Sequence, residues 1–158
     1  MIWRINMCTY TRFQKIAGDQ IVYAVRQYFD GQFQSPWFGE FTHGWKLNEK
    51  EVATPYSLFN RIRDTLRCVF SKNLFIDVGR GYFHTFQKLE DAKEYLRILS
   101  EDVNTFGYDT EFVICKFRAS GRKYTGLIKV AEWVDHEQVI HSHQCIVSRE
   151  LTMLEVLE

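Results

Sequence analysis

Proline is nearly missing from this chain, with two in 158 residues, and no Pro-rich or Gly/Ser-rich stretch divides it. Residues 1–158 are therefore expected to form a single globular domain. Net charge is missing too: twenty Lys and Arg balance twenty Asp and Glu, so no whole-molecule field draws the protein to phosphate backbones or anionic lipid. Nucleic acid is not an expected partner. Cysteine is sparse, with Cys8, Cys68, Cys115 and Cys145 far apart and no C-x-x-C pair. Three of them sit in apolar runs, where a free thiol behaves as a small hydrophobe, and that pattern fits a reducing compartment. No apolar run approaches the roughly 18 residues of a membrane span, and Met1 to Cys8 lacks the apolar core of a secretory signal. The expected location is the cytoplasm, without a membrane partner.

Chemical motifs are also few. Gly79-Arg80-Gly81 has neither the third glycine nor the Lys-Ser/Thr of a phosphate-cradling loop, and reads first as a turn. No Gly-x-Ser-x-Gly elbow is present, so an α/β-hydrolase would have no nucleophile. Glu132 and Asp135 offer paired carboxylates, but both stand where turns are expected.

Aromatic side chains, by contrast, are plentiful: thirteen Phe, eight Tyr and four Trp. Such large, rigid groups fill a wide core or line a pocket or interface. Phe33, Trp37, Phe38, Phe41 and Trp45 crowd a region broken by Asp30-Gly31, a hairpin signal, and by Ser35-Pro36.

The hydrophobic pattern predicts an α+β fold, a mixed and largely antiparallel sheet with two main helices packed on it. Extended runs are expected near Ile2 to Phe13, Gln20 to Phe29, Glu40 to Leu47 and Leu74 to Val78. Thr54 before Pro55 signals a helix start, and Leu58, Phe59, Ile62, Leu66, Val69 and Phe70 follow at helical spacing. The second helix carries Leu89, Ala92, Leu96, Leu99, Val103 and Phe106 as its apolar stripe, with Glu90 and Asp91 suiting the dipole of its first turn. Phe112 to Phe117 reads as a central strand, Ser120-Gly121-Arg122-Lys123 as a turn, and Tyr124 to Trp133 and Gln138 to Val147 as two more strands. Leu151 to Leu157 fits a helix or a last strand equally.

One histidine has a special setting. His84 lies among Tyr82, Phe83 and Phe86 at the end of an extended run, just before the second helix. Such an imidazole can serve in ligand binding or acid–base chemistry, or be a structural group bonded to backbone. Near the C-terminus, Val139, His141, His143, Cys145 and Val147 alternate, so all five point to one face of a strand. His141 and His143 could chelate a metal, with a nearby thiolate as third ligand, but a packed or half-exposed strand face explains them and no metal is expected.

The segments Phe29 to Trp37, Gly44-Trp45-Lys46, Gly81-Tyr82-Phe83-His84-Thr85-Phe86 with Leu89-Glu90-Asp91-Ala92, Val113 to Lys116 and Tyr124-Thr125-Gly126 follow one another in order. Together they resemble small, largely uncharacterised proteins of gut bacteria and their phages, over about residues 20 to 150. The resemblance implies a compact domain and no particular activity.

Two classes of function are compatible with these residues. The first is a binding or interaction module, an accessory protein of a mobile element among its forms, with Trp37, Phe38, Trp45 and Tyr82 at the contact surface and no cofactor. The second is a small enzyme. The order His84, Tyr124 and a glutamate, Glu150 or Glu132, is similar to that of the ADP-ribosyltransferases. That resemblance implies His84 and Tyr124 holding NAD and the glutamate, Glu150, stabilising the reacting ribose.

Overall fold

Two strands of unusual length organise the protein. A computed structural model describes residues 8–9, 14–29, 31–34, 45–53, 82–101 and 111–157. In chain order these form β1 (Cys8–Thr9), β2 (Gln14–Ile16), β3 (Gln20–Phe29), β4 (Gln32–Gln34), β5 (Lys50–Val52), β6 (Phe83–Phe86), α1 (Leu89–Glu101), β7 (Glu111–Val134) and β8 (Glu137–Val156). An average strand has five or six residues; β7 has 24 and β8 has 20.

The expected α+β fold with two main helices is corrected. The described residues form a mostly antiparallel eight-stranded sheet with one helix. The other expected helix, from Thr54 to Phe70, and the expected strand Leu74 to Val78 lie outside the described residues, as do Trp37 and Phe38. The named pairings run antiparallel, and they return to their start: β7 pairs β3, β3 pairs β6, β6 pairs β8, and β8 pairs β7. A sheet that closes in this way leaves those four strands with no open edge where they meet.

The long strands reach round the closure because they bend. Ser120 pairs Glu150 and Lys123 pairs Ser148, so Gly121 and Arg122 oppose Arg149 alone. This is a β-bulge, which kinks and twists a ribbon without ending it. Gly121 has φ 72°, a left-handed conformation that glycine adopts without strain. The expected turn at Ser120–Lys123 is thus a bend inside β7. A second shift leaves Leu154 as the extra residue of β8. Leu151 to Val156 continues β8, which decides the segment in favour of a strand. Asp135 and His136, with φ 50° and 65°, join β7 to β8; two left-handed residues match the type I′ turn that suits strand twist. Glu132 therefore lies in β7, paired to Val139, and only Asp135 of the two acids is in the turn.

Each face of the ribbon has its own core. Inside the closure, Val22, Ala24, Val113, Cys115, Phe117, Ala119, Ile146, Leu151 and Met153 pack with Trp45 and Phe83. The Trp45 ring meets Phe83 and Phe117 edge-on, with centroids 5.5 and 5.7 Å away. Outside, Val25, Phe86, Ile114, Ile128, Val130 and Cys145 receive Ala92, Tyr95, Ile98 and Leu99 of α1. Tyr95 and Ile98 join the buried stripe of the helix, and Leu96 only borders it.

Candidate functional site

Strand alternation sorts the chemistry-bearing side chains by face. In β6, Phe83 belongs to the inner core and Phe86 to the outer one, so His84 points outward. In β7, Tyr124 shares the side of Ile128 and Val130, and in β8 Val147 shares the side of Cys145. Register then aligns them: His84 pairs Val147, Val147 pairs Tyr124, and Tyr124 pairs Lys15. Lys15, Tyr124, Val147 and His84 form one row across four strands of the outer face. Two strand spacings put the His84 and Tyr124 backbones about 10 Å apart.

Tyr82 closes on this row. Its ring meets Tyr124 edge-on at 5.9 Å, and the Arg149 guanidinium lies over it, 5.6 Å from the centroid. Val147 is fully buried beneath, while Tyr82, His84, Tyr124 and Arg149 are half-buried and Lys15 is exposed. The bulge explains Arg149: as the one β8 residue opposite two of β7, it is taken out of the regular alternation. Three residues named from sequence, Tyr82, His84 and Tyr124, are therefore together. Glu150 is engaged elsewhere. Its Oε2 accepts from Ser120 Oγ at 2.9 Å and lies 3.7 Å from Lys50 Nζ.

Trp45 is 0% exposed and fills the inner core, with the buried Arg26 guanidinium 4.2 Å from its ring centroid. As placed, it offers no contact surface.

A second polar cluster lies further along the outer face, where α1 meets the β7–β8 hairpin. His141 and His143 share a face, as the spacing predicted, and their rings stack at 6.3 Å. Their partners differ. His143 Nδ1 is 3.0 Å from Asp91 Oδ1 in the first turn of α1, and His141 Nε2 is 2.9 Å from Glu132 Oε2. A carboxylate only accepts, so each of these nitrogens carries the proton of its hydrogen bond. Arg97 is the hub: its guanidinium donates to Glu132 at 2.9 Å through two nitrogens, to Glu94 at 2.6 Å and to Glu101 at 3.0 Å. Hydrogen bonds from Arg97 hold the Glu94 and Glu132 carboxyls below the ordinary range; His141 adds to the effect at Glu132. The roles of Asp91, Glu94, Arg97, Lys15 and Arg149 escaped the sequence reading, because each depends on a partner distant in the chain.

Cys115 and Cys145 behave as small hydrophobes. Cys115 and Cys145 are free and buried, and burial pushes their thiols up to about 11 and about 12.

The fold and site define a closed, mostly antiparallel β domain with one described helix and a tyrosine–histidine–arginine face. No family model matches the chain, and no curated protein or solved structure matches it either. Among the described residues no helix is long and apolar enough to cross a membrane.

Proposed function

We propose that the protein is a binding module that holds an anionic, ring-bearing small molecule, a nucleotide or nucleotide-derived compound, at Tyr82, His84, Tyr124 and Arg149. One observation carries this reading: a single register row brings His84 and Tyr124 to the same face, with the Tyr82 ring and the Arg149 cation beside them. Aromatic faces take a flat ring, cations take phosphate, and an imidazole supplies one directed hydrogen bond. The inner face, packed with Trp45, Phe83 and Phe117, serves to hold the row in place.

NAD belongs to this ligand class, and the enzyme reading places it in the same position. His84 and Tyr124 favour that reading by sharing a face. Glu150 favours it less, because Ser120 and Lys50 already engage its carboxylate. Glu132 stands eight residues beyond Tyr124, about 26 Å along an extended strand. Binding without turnover is therefore the form we propose. The free, buried Cys115 and Cys145 suit a cytoplasmic setting. The accessory role in a mobile element rests on the family resemblance alone.

Calorimetric titration with NAD, AMP and pyrophosphate, repeated on Tyr82→Ala and Arg149→Gln, tests the proposal. AMP and NAD should bind, Arg149→Gln should weaken both together with pyrophosphate, and Tyr82→Ala should weaken only the ring-bearing probes. No binding of any probe to the wild type would overturn it. Nicotinamide released from NAD, and lost in Glu150→Gln, would replace binding with catalysis.

A further inference from the structure

The polar cluster at the α1–hairpin junction belongs to no part of the proposed ligand face. Glu94 comes from α1, Glu132 from β7 and His141 from β8, so three elements converge there. One donor atom from each lies within 4.8 Å of the other two, and all three side chains are half-buried. We propose that Glu94, Glu132 and His141 form a binding site for a divalent transition-metal ion, and that Arg97 is a resident cation which the metal displaces.

The geometry needs little change. Donors sharing one ion at about 2.1 Å stand roughly 3.4 Å apart in a tetrahedral arrangement, and His141 Nε2 to Glu132 Oε2 is already 2.9 Å. The donor set, one imidazole and two carboxylates, suits zinc, manganese, cobalt or ferrous iron; calcium and magnesium prefer oxygen alone.

Charge points the same way. Glu94, Glu101 and Glu132 surround one guanidinium, leaving two negative charges that Arg97 does not balance. Arg97 also holds the place where the ion would sit, since its Nη2 donates to both Glu94 Oε1 and Glu132 Oε2. The exchange has a route. The Arg97 side chain is 41% exposed and keeps Glu101, 3.0 Å from Nη1, as a partner when it leaves the other two. His141 must then present Nε2 as a lone pair, so its proton moves to solvent or the ring takes the Nδ1–H tautomer. His143, held by Asp91 through Nδ1, is not one of the three residues whose donor atoms converge.

The test is titration of chelator-treated protein with zinc by calorimetry and with cobalt by visible absorption. The wild type should bind one equivalent per chain. Glu94→Gln and His141→Ala should each weaken binding at least about tenfold, a difference of ~1.4 kcal/mol. Arg97→Gln should tighten it by a similar factor, an effect that a merely structural salt-bridge network would not produce. Circular dichroism on each variant separates lost ligands from lost fold. His143→Ala should bind as the wild type does. The proposal is overturned if neither wild type nor Arg97→Gln binds saturably, or if Glu94→Gln leaves binding unchanged. Equal loss of binding in His143→Ala would replace the three-residue set with a His-x-His chelate.

Discussion

The two faces of the β7–β8 ribbon are built from the same strands but are packed differently. On the inner face Phe117, Ala119, Leu151 and Met153 are wholly covered, and Trp45 completes the packing. On the outer face α1 covers the apolar residues, and polar groups gather at its margins. Asp91 meets His143, Arg97 meets Glu132, and the tyrosine–histidine row lies beyond. Among the described residues, the apolar side chains of the inner face pack on one another, which holds the register of the strands. The outer face keeps Tyr82, His84, Tyr124 and Arg149 half-buried rather than wholly covered.

The largest expected effect tests the inner face. Phe117→Ala removes a ring in contact with Trp45 and should cost ~3–5 kcal/mol in urea unfolding. Tyr82→Ala, on the outer face, should cost on the order of 1 kcal/mol or less. Equal costs would erase the distinction between the faces.

Next comes the bend that both faces share. A Cβ on Gly121 would stand 3.2 Å from the Glu150 carboxylate, at a φ of 72°. Gly121→Ala should destabilise by about 1–2 kcal/mol, from the left-handed conformation alone. A neutral result would mean that the ribbon bends without this residue.

The thiols, one in each core, should behave alike. Folded Cys115 and Cys145 titrate near 11 and 12, against 9.0 for an ordinary thiol. Their pKa values are raised, so the stability they contribute is complete below about pH 9 and lost as pH rises toward 11–12. Melting temperature should fall across that window. In a Cys8→Ser, Cys68→Ser variant the native protein should resist a thiol reagent at pH 8 until denaturant is added. Rapid labelling of one thiol would show that its core is open.

The smallest effect belongs to Arg97. The Arg97 side chain and its partners Glu94 and Glu101 are at least partly open to solvent while Glu132 is mostly covered, and Arg97→Gln should cost about 1 kcal/mol of stability or less. A larger loss would make the α1–hairpin junction a structural latch on the scale of the cores.

Local signals made part of this architecture legible. The run Gln20 to Phe29 became β3, Asp30-Gly31 marked the β3–β4 hairpin, and α1 begins at Leu89 as its stripe requires. The bend at Gly121 was read as a turn because turn and bulge need the same glycine. Only pairing with Arg149 and Glu150 distinguishes them, and that information is not local. The row of His84, Val147 and Tyr124 was hidden for the same reason, since the register of β6 on β8, strands about sixty residues apart, is set by packing. One contact was accessible. A two-residue turn at Asp135-His136 sets Glu132 against Val139, and His141 is then its diagonal neighbour, within reach of a long side chain.

The outer face as the binding surface is the central claim, and amide chemical-shift mapping tests it most directly. With AMP added to isotope-labelled protein, shifts should concentrate at Tyr82, His84, Tyr124 and Arg149 and leave Trp45 and Phe117 in place. Shifts centred on the inner face, or none at saturating AMP, would contradict it.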